Sequence, residues 1–166
     1  MGSPQSYITD RFADVLLNSG IERALVDMGE IRALGDRQWG EPWRVGIKDP
    51  IAPSLIAETV EVRNLAIATS GGYFTRFDPA GHFNHIFDPK TGLTSSRYLS
   101  VSVIAPLAAT ADALSTAFSL MPLDLTQGHR RKARNQGAFC VAGRGRISSN
   151  RFEPGIAYST LTIRSL

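Results

Sequence analysis

Over residues 8–19, Ile-Thr-Asp-Arg-Phe-Ala-Asp-Val-Leu-Leu-Asn-Ser, apolar positions recur at the spacing of an amphipathic helix. Thr9 or Asp10 stands as its N-cap and Gly20 as its C′ stop. From Glu22 to Leu34 an Ala, Leu, Val and Ile-rich stretch is interrupted at Gly29, which predicts two strands. Gly35–Pro42 reads as a polar turn, Trp43–Lys48 alternates as a strand, and Asp49-Pro50 ends it. Residues 58–68 predict one further strand. A tight loop follows at Thr69-Ser70-Gly71-Gly72, then strands near 73–77 and 82–87 and a turn at Asp88–Gly92. Tyr98–Ala105 is a β-branched strand leading into an alanine-rich helix over 109–119. After Pro122 the pattern weakens, with strands expected near 138–142 and 157–164. Many strands joined by short turns, with a helix at each end of the run, predict an α+β fold with a mainly antiparallel sheet and flanking helices.

The chain of 166 residues has room for one well-buried domain. Its 43% hydrophobic and 20% charged residues are ordinary for a soluble globular protein. No apolar run approaches the ~20 residues needed to span a bilayer, and Met1–Gln5 shows no signal-peptide pattern. Residues 1–6 are expected to be an unstructured or artificial start. A single cysteine excludes an intramolecular disulfide, and Cys140, in the apolar run Ala-Phe-Cys-Val-Ala, reads as an inert core thiol. The net charge of +3 hides an asymmetry: residues 1–127 carry 10 basic and 14 acidic side chains, residues 128–166 carry 8 and 1. The cluster His129-Arg130-Arg131-Lys132-Ala133-Arg134 has no interleaved aromatics and no nucleic-acid motif. It reads as a solvated basic segment, with no nucleic-acid partner expected.

Three segments carry candidate chemistry. Asp112 and Thr116 stand four residues apart on the 109–119 helix, which places a carboxylate and a hydroxyl on one face. Such hard oxygens suit magnesium bound to phosphates, and equally suit a cap residue plus a buried hydroxyl. The loop Ala68-Thr69-Ser70-Gly71-Gly72-Tyr73 offers paired glycines, hydroxyls and amides to a phosphate, or is a plain turn. His85, at a strand end beside the Asp88–Gly92 turn, has the residue type of a general base near neutral pH, though a lone histidine is often structural.

In order and spacing these segments resemble the ApbE family of FAD:protein FMN transferases. The family's Thr-Ser-Gly-x-Tyr loop, His-Ile-x-Asp-Pro-x-Thr-Gly turn, Ser-Val-x-Val strand and Ala-Asp-Ala-Leu-(Ser/Ala)-Thr-Ala helix stand here as Thr69–Tyr73, His85–Gly92, Ser100–Val103 and Ala111–Ala117. Tyr7–Arg11, Leu25–Arg32 and Trp43–Pro50 also match in order, so the resemblance covers about residues 7–125. It implies a T-fold-like domain and an enzyme that uses FAD and Mg²⁺ to transfer FMN to a Thr or Ser hydroxyl of a target flavoprotein, releasing AMP. By motif match, Asp112 and Thr116 are the Mg²⁺ ligands and His85 the base for the acceptor hydroxyl. Ile86 contacts FAD, Thr69, Ser70 and Gly71 lie beside the flavin, and Asp10 lies in the segment approaching the cofactor.

The chain also departs from the pattern. Family proteins are longer, with an N-terminal half that supplies much of the FAD pocket. The family's Lys-Gly-Tyr appears as Gln5-Ser6-Tyr7, one glycine is missing before Glu30-Ile31, and no clear match continues past about residue 127. These departures suggest a C-terminal fragment or truncated product, with residues 126–166 a basic tail. An FAD pyrophosphatase, or an inactive flavin- or metal-binding fragment, is the alternative to a transferase. Family members are commonly exported to the periplasm or membrane-anchored, which leaves the location of this chain unknown.

Overall fold

The computed structural model describes residues 3–80, 82–95 and 97–122. The strands expected near 138–142 and 157–164, Cys140 and the 129–134 cluster lie outside the described residues.

Ser3 and Pro4 begin the first helix earlier than the apolar pattern suggested. The Ser3 hydroxyl accepts the Ser6 N–H at 3.2 Å. Proline at the first helical turn has no N–H to leave unpaired, and α1 runs over Pro4–Asn18. Thr9 is therefore inside the helix, where its hydroxyl donates to the Gln5 carbonyl at 2.9 Å. Residues 4–6, expected to be unstructured, form the first turn, and Ser6 is fully buried. The stop at Gly20 is as expected: φ is +80° there, and Gly20 and Ile21 amides close back on Leu17 and Leu16.

β1 (Ala24–Asp27) and β2 (Ile31–Leu34) form a hairpin around Gly29. β3 (Trp43–Lys48) pairs with β4 (Ile56–Val62) as a separate two-stranded sheet. The run expected as one strand over 58–68 is two: β4 ends, Asn64 adopts φ +49°, and β5 (Ala66–Ser70) enters the other sheet. The Asn64 Oδ1 accepts the Gly35 N–H at 2.7 Å, which holds this bend. β5 takes in Thr69 and Ser70, so the loop begins at Gly71. β6 is Val101–Ala105 and α2 is Ala108–Leu120. The main sheet has the order β1-β2-β5-β6 with every pairing antiparallel.

No ladder forms over 73–77 and 82–87 among the described residues. A 3₁₀ turn at Gly72–Phe74 and single bridges Arg76↔Asn84 and Phe87↔Thr94 replace the expected strands. Polar side chains compete with the ladder for the backbone: Asp78 accepts the His82 and Phe83 amides at 3.1 and 2.7 Å, and Asn84 Oδ1 accepts the Ile86 amide at 2.9 Å. The Asp88–Gly92 turn closes as predicted, with the Gly92 amide on the Asp88 carbonyl at 2.8 Å.

The main sheet is the middle layer of three. Val45, Ile47, Val60 and Val62 of the β3–β4 hairpin bury against Ala33, Ile67 and Ile104 on one face. On the other, Ala68, Val101, Val103 and Ala105 pack against Ala111 and Phe118 of α2. α1 lies on this side too, against α2, β1 and β2. Alternation along β5 therefore sends Thr69 toward the hairpin and Ser70 toward α2.

Candidate active site

Ser70, at the end of β5 and 8% exposed, meets α2 side-on. Its Oγ lies 2.7 Å from Ser115 Oγ and 3.1 Å from Thr116 Oγ1. Ser115 Oγ also donates to the Asp112 carbonyl at 2.9 Å. Ser70 thus bonds Thr116 directly and reaches the Asp112 main-chain carbonyl through Ser115, a residue not singled out from the motif although it adjoins Thr116.

The Asp112 carboxylate faces α1. Its Oδ2 accepts the Ser3 N–H and lies 3.1 Å from the Ser6 hydroxyl, which also donates to the Ser3 carbonyl at 2.8 Å. Oδ1 has no hydrogen bond among the described residues. Asp10 does the converse. α2 starts without a side-chain cap from Leu107, and Asp10 supplies it across the helix interface: Oδ1 accepts Ala108 N–H at 2.8 Å and Oδ2 accepts Ala109 N–H at 3.0 Å. Arg32 Nε stands 3.8 Å from Asp10 Oδ1. Asp10, expected near the cofactor, has both carboxylate oxygens occupied by this capping.

Glu30 completes a negatively charged corner. Burial first, then the Asp112 charge, pushes its carboxyl above the ordinary value, with Asp10 adding a smaller push. Its Oε2 is buried without a partner among the described residues. Burial pulls the nearby Arg32 guanidinium below its ordinary value while Asp10 opposes that shift. Glu30 Oε2 and Asp112 Oδ1, neither with a hydrogen bond among the described residues, and the Thr116 hydroxyl are hard oxygens of the kind that suits a divalent cation in charge and chemistry. Among the described residues no cluster of three or more His, Cys, Asp or Glu side chains has the geometry to hold a metal. The residues fit a site whose remaining ligands come from elsewhere, such as phosphate or water.

On the opposite face, Thr69 lines a cleft of about 330 Å³ with Gly29, Ile31, Gly46, Tyr73 and Phe74. The Thr69 hydroxyl meets Ser102 across the strand pair at 2.8 Å. Gly71 is tightly packed: a Cβ there would lie 2.4 Å from Tyr73 Cε1 and 3.0 Å from the Leu99 carbonyl. Ile86 is 5% exposed, and its carbonyl accepts the Ser95 amide at 2.8 Å. His85 is exposed, with Nδ1 3.4 Å from the Thr75 carbonyl. No hydrogen bond or ion pair among the described residues links His85 to Asp112 or Thr116. The segment carrying it is moored to α2 through Ser95, whose hydroxyl donates to the Ser119 carbonyl at 2.7 Å, and Asn84 Nδ2 donates to the Ser95 carbonyl at 2.9 Å.

A sequence model of the ApbE family matches residues 2–139. The chain belongs to the ApbE family. The match begins before residue 7 and continues past residue 125, beyond the motifs at both ends. Among ApbE relatives, the FAD:protein FMN transferase of Vibrio cholerae is 40% identical over 116 residues, covering 68% of this chain and 35% of that protein. That of Escherichia coli K12 is 34% identical over 121 residues, covering 70% and 34%. The solved ApbE protein of Thermotoga maritima aligns with a TM-score of 0.70 at 32% identity, over 80% of this chain and 43% of that one. For the flavin transferase ApbE from Vibrio cholerae the values are 0.63, 34%, 76% and 41%. The chain spans about a third of the length of the curated relatives it matches. The antiparallel α+β architecture is that of ApbE flavin transferases, and no described helix is long and apolar enough to cross a membrane.

Proposed function

We propose that this chain is the metal-ligand-bearing portion of an FAD:protein FMN transferase. The observation that carries the reading is the meeting of Ser115 and Thr116, on the helix that bears Asp112, with Ser70 of the Thr-Ser-Gly loop, in a chain of the ApbE family. Asp112 Oδ1 and Thr116 Oγ1 would hold Mg²⁺. When bound, the ion neutralises charge on the FAD pyrophosphate and on the departing AMP. Thr69 and Tyr73 line the cleft that receives part of the flavin nucleotide. His85, with Nδ1 toward the Thr75 carbonyl, leaves Nε2 to take the proton of an acceptor Thr or Ser hydroxyl. The acceptor oxygen then bonds to the FMN phosphorus, the bond from that phosphorus to the bridging pyrophosphate oxygen breaks, and AMP departs carrying the bridging oxygen.

The test is incubation with FAD, Mg²⁺ and a flavoprotein acceptor bearing a target Thr, reading AMP release and acceptor mass. AMP together with flavinylated acceptor is the expected result, abolished by Asp112→Ala and strongly reduced by His85→Ala. AMP without acceptor modification identifies an FAD pyrophosphatase instead. Neither AMP nor Mg²⁺-dependent FAD binding overturns both enzymatic readings.

A further inference from the structure

Only one arrangement of protons lets all three contacts of the Ser70 network be hydrogen bonds at once. Each hydroxyl has one proton to donate. The Asp112 carbonyl only accepts, so the Ser115 proton lies on the 2.9 Å bond to it. Ser115 Oγ must then accept from Ser70 at 2.7 Å. With its proton committed, Ser70 Oγ must accept from Thr116 at 3.1 Å. The Thr116 proton therefore points inward at β5, and Oγ1 keeps its lone pairs for the exposed side of α2, one turn from Asp112.

We infer that Ser70 is a positioning residue that fixes the polarity of the Thr116 hydroxyl, so that Thr116 presents lone pairs and not its proton to a divalent cation. The inference rests on the cation site proposed above. It gives neighbouring residues of the Thr-Ser-Gly loop different tasks, because strand alternation turns Thr69 to the cleft and Ser70 to α2. The resemblance placed both beside the flavin; the geometry points Ser70 to the metal ligand. Ser115 sets the polarity from one step further back, although it is bonded to neither the Thr116 side chain nor the Asp112 carboxylate. Without Ser115 as acceptor, the Ser70 proton is free to turn toward Thr116 and push the threonine proton outward. Loss of a partner that orients a ligand typically weakens metal binding by about 10–100-fold.

The experiment titrates the full chain with Mn²⁺ and counts free ion by electron paramagnetic resonance. Ser70→Ala is expected to weaken binding about tenfold, Thr116→Val at least as much, and the double variant no more than Thr116→Val alone. Ser115→Ala, which gives a strong helix former that the family's helix motif also allows at this place and so retains the fold, is expected to weaken binding in this chain, where Ser115 accepts from Ser70. Thermal melts without metal check folding of each variant. If Ser70→Ala fails to fold, Ser115→Ala decides alone. Unchanged Mn²⁺ affinity in the folded Ser70→Ala or Ser115→Ala chain overturns the inference, as does a Ser70→Ala loss that persists in full in the Thr116→Val background. A wild-type chain that takes up no Mn²⁺ removes the cation site itself and the inference with it, an outcome separable from the others because no variant is needed to see it.

Discussion

Replacing Asp10 with alanine is expected to destabilise the fold by about 3 kcal/mol. Two contributions set that figure. The carboxylate caps α2 through two charge-assisted bonds, to Ala108 N–H at 2.8 Å and Ala109 N–H at 3.0 Å. Loss of an N-cap costs roughly 0.5–2 kcal/mol, and the upper end applies here because Ala108 is wholly buried and no water reaches its amide easily. The second contribution is Arg32, whose Nε has no hydrogen-bond partner among the described residues and stands 3.8 Å from Asp10 Oδ1. Removing one member of a tight buried pair costs ~3–5 kcal/mol. This pair is long, so about 1 kcal/mol is a fairer share. For a chain of this size the sum corresponds to a melting temperature lower by about 10 °C. Urea unfolding followed by far-ultraviolet circular dichroism measures it. Asp10→Asn, which keeps one acceptor oxygen, should recover about half. A loss below about 1 kcal/mol for Asp10→Ala would refute the capping argument, since the helix end would then be satisfied without Asp10.

Gly71→Ala should cost about 1–3 kcal/mol through overpacking, since the new methyl meets the Tyr73 ring at 2.4 Å and the Leu99 carbonyl at 3.0 Å. An unchanged urea midpoint would show that the ring turns away freely. Glu30 gives a pH dependence. Its folded-state carboxyl is raised above the ordinary 4.5, so its contribution to stability is full below pH 4.5 and is lost as pH rises through the raised value. Glu30→Gln should therefore be more stable than the parent at pH 7, with the advantage shrinking toward pH 4.5. A difference that is constant with pH, or that grows on acidification, contradicts the assignment.

What could be read in the chain was local. Asp112 and Thr116 are one helical turn apart, the Asp88–Gly92 turn is written in turn residues, and the β1–β2 hairpin shows as apolar runs around Gly29. Hidden features depended on partners distant in sequence. Asp10 and Ala108 are separated by 98 positions and Ser70 and Ser115 by 45, so no periodicity marks either pair. The break between β4 and β5 at Arg63-Asn64 does not stand out because polar residues also occupy the exposed positions of a strand, and only the left-handed tolerance of Asn64 signals it. Ser3-Pro4, by contrast, was a readable N-cap signature obscured by the polar residues around it. The strands expected near 73–77 and 82–87 do not form where Asp78 and Asn84 side chains take up the His82, Phe83 and Ile86 amides.

The exchange of carboxylates between α1 and α2 also bears on the order in which the chain assembles. Each helix receives its terminal acceptor from the other, across 98 positions for Asp10 and 109 for Asp112. Closing so long a loop carries a large entropic cost before either contact is made. The intervening strands are expected to pair first, leaving the start of α2, which has no side-chain cap of its own, frayed until the sheet exists to bring the two helices together. Docking of the two ends and ordering of the Asp112 carboxylate are then one late event, so the candidate ligand takes up its position only when the rest of the domain is already in place.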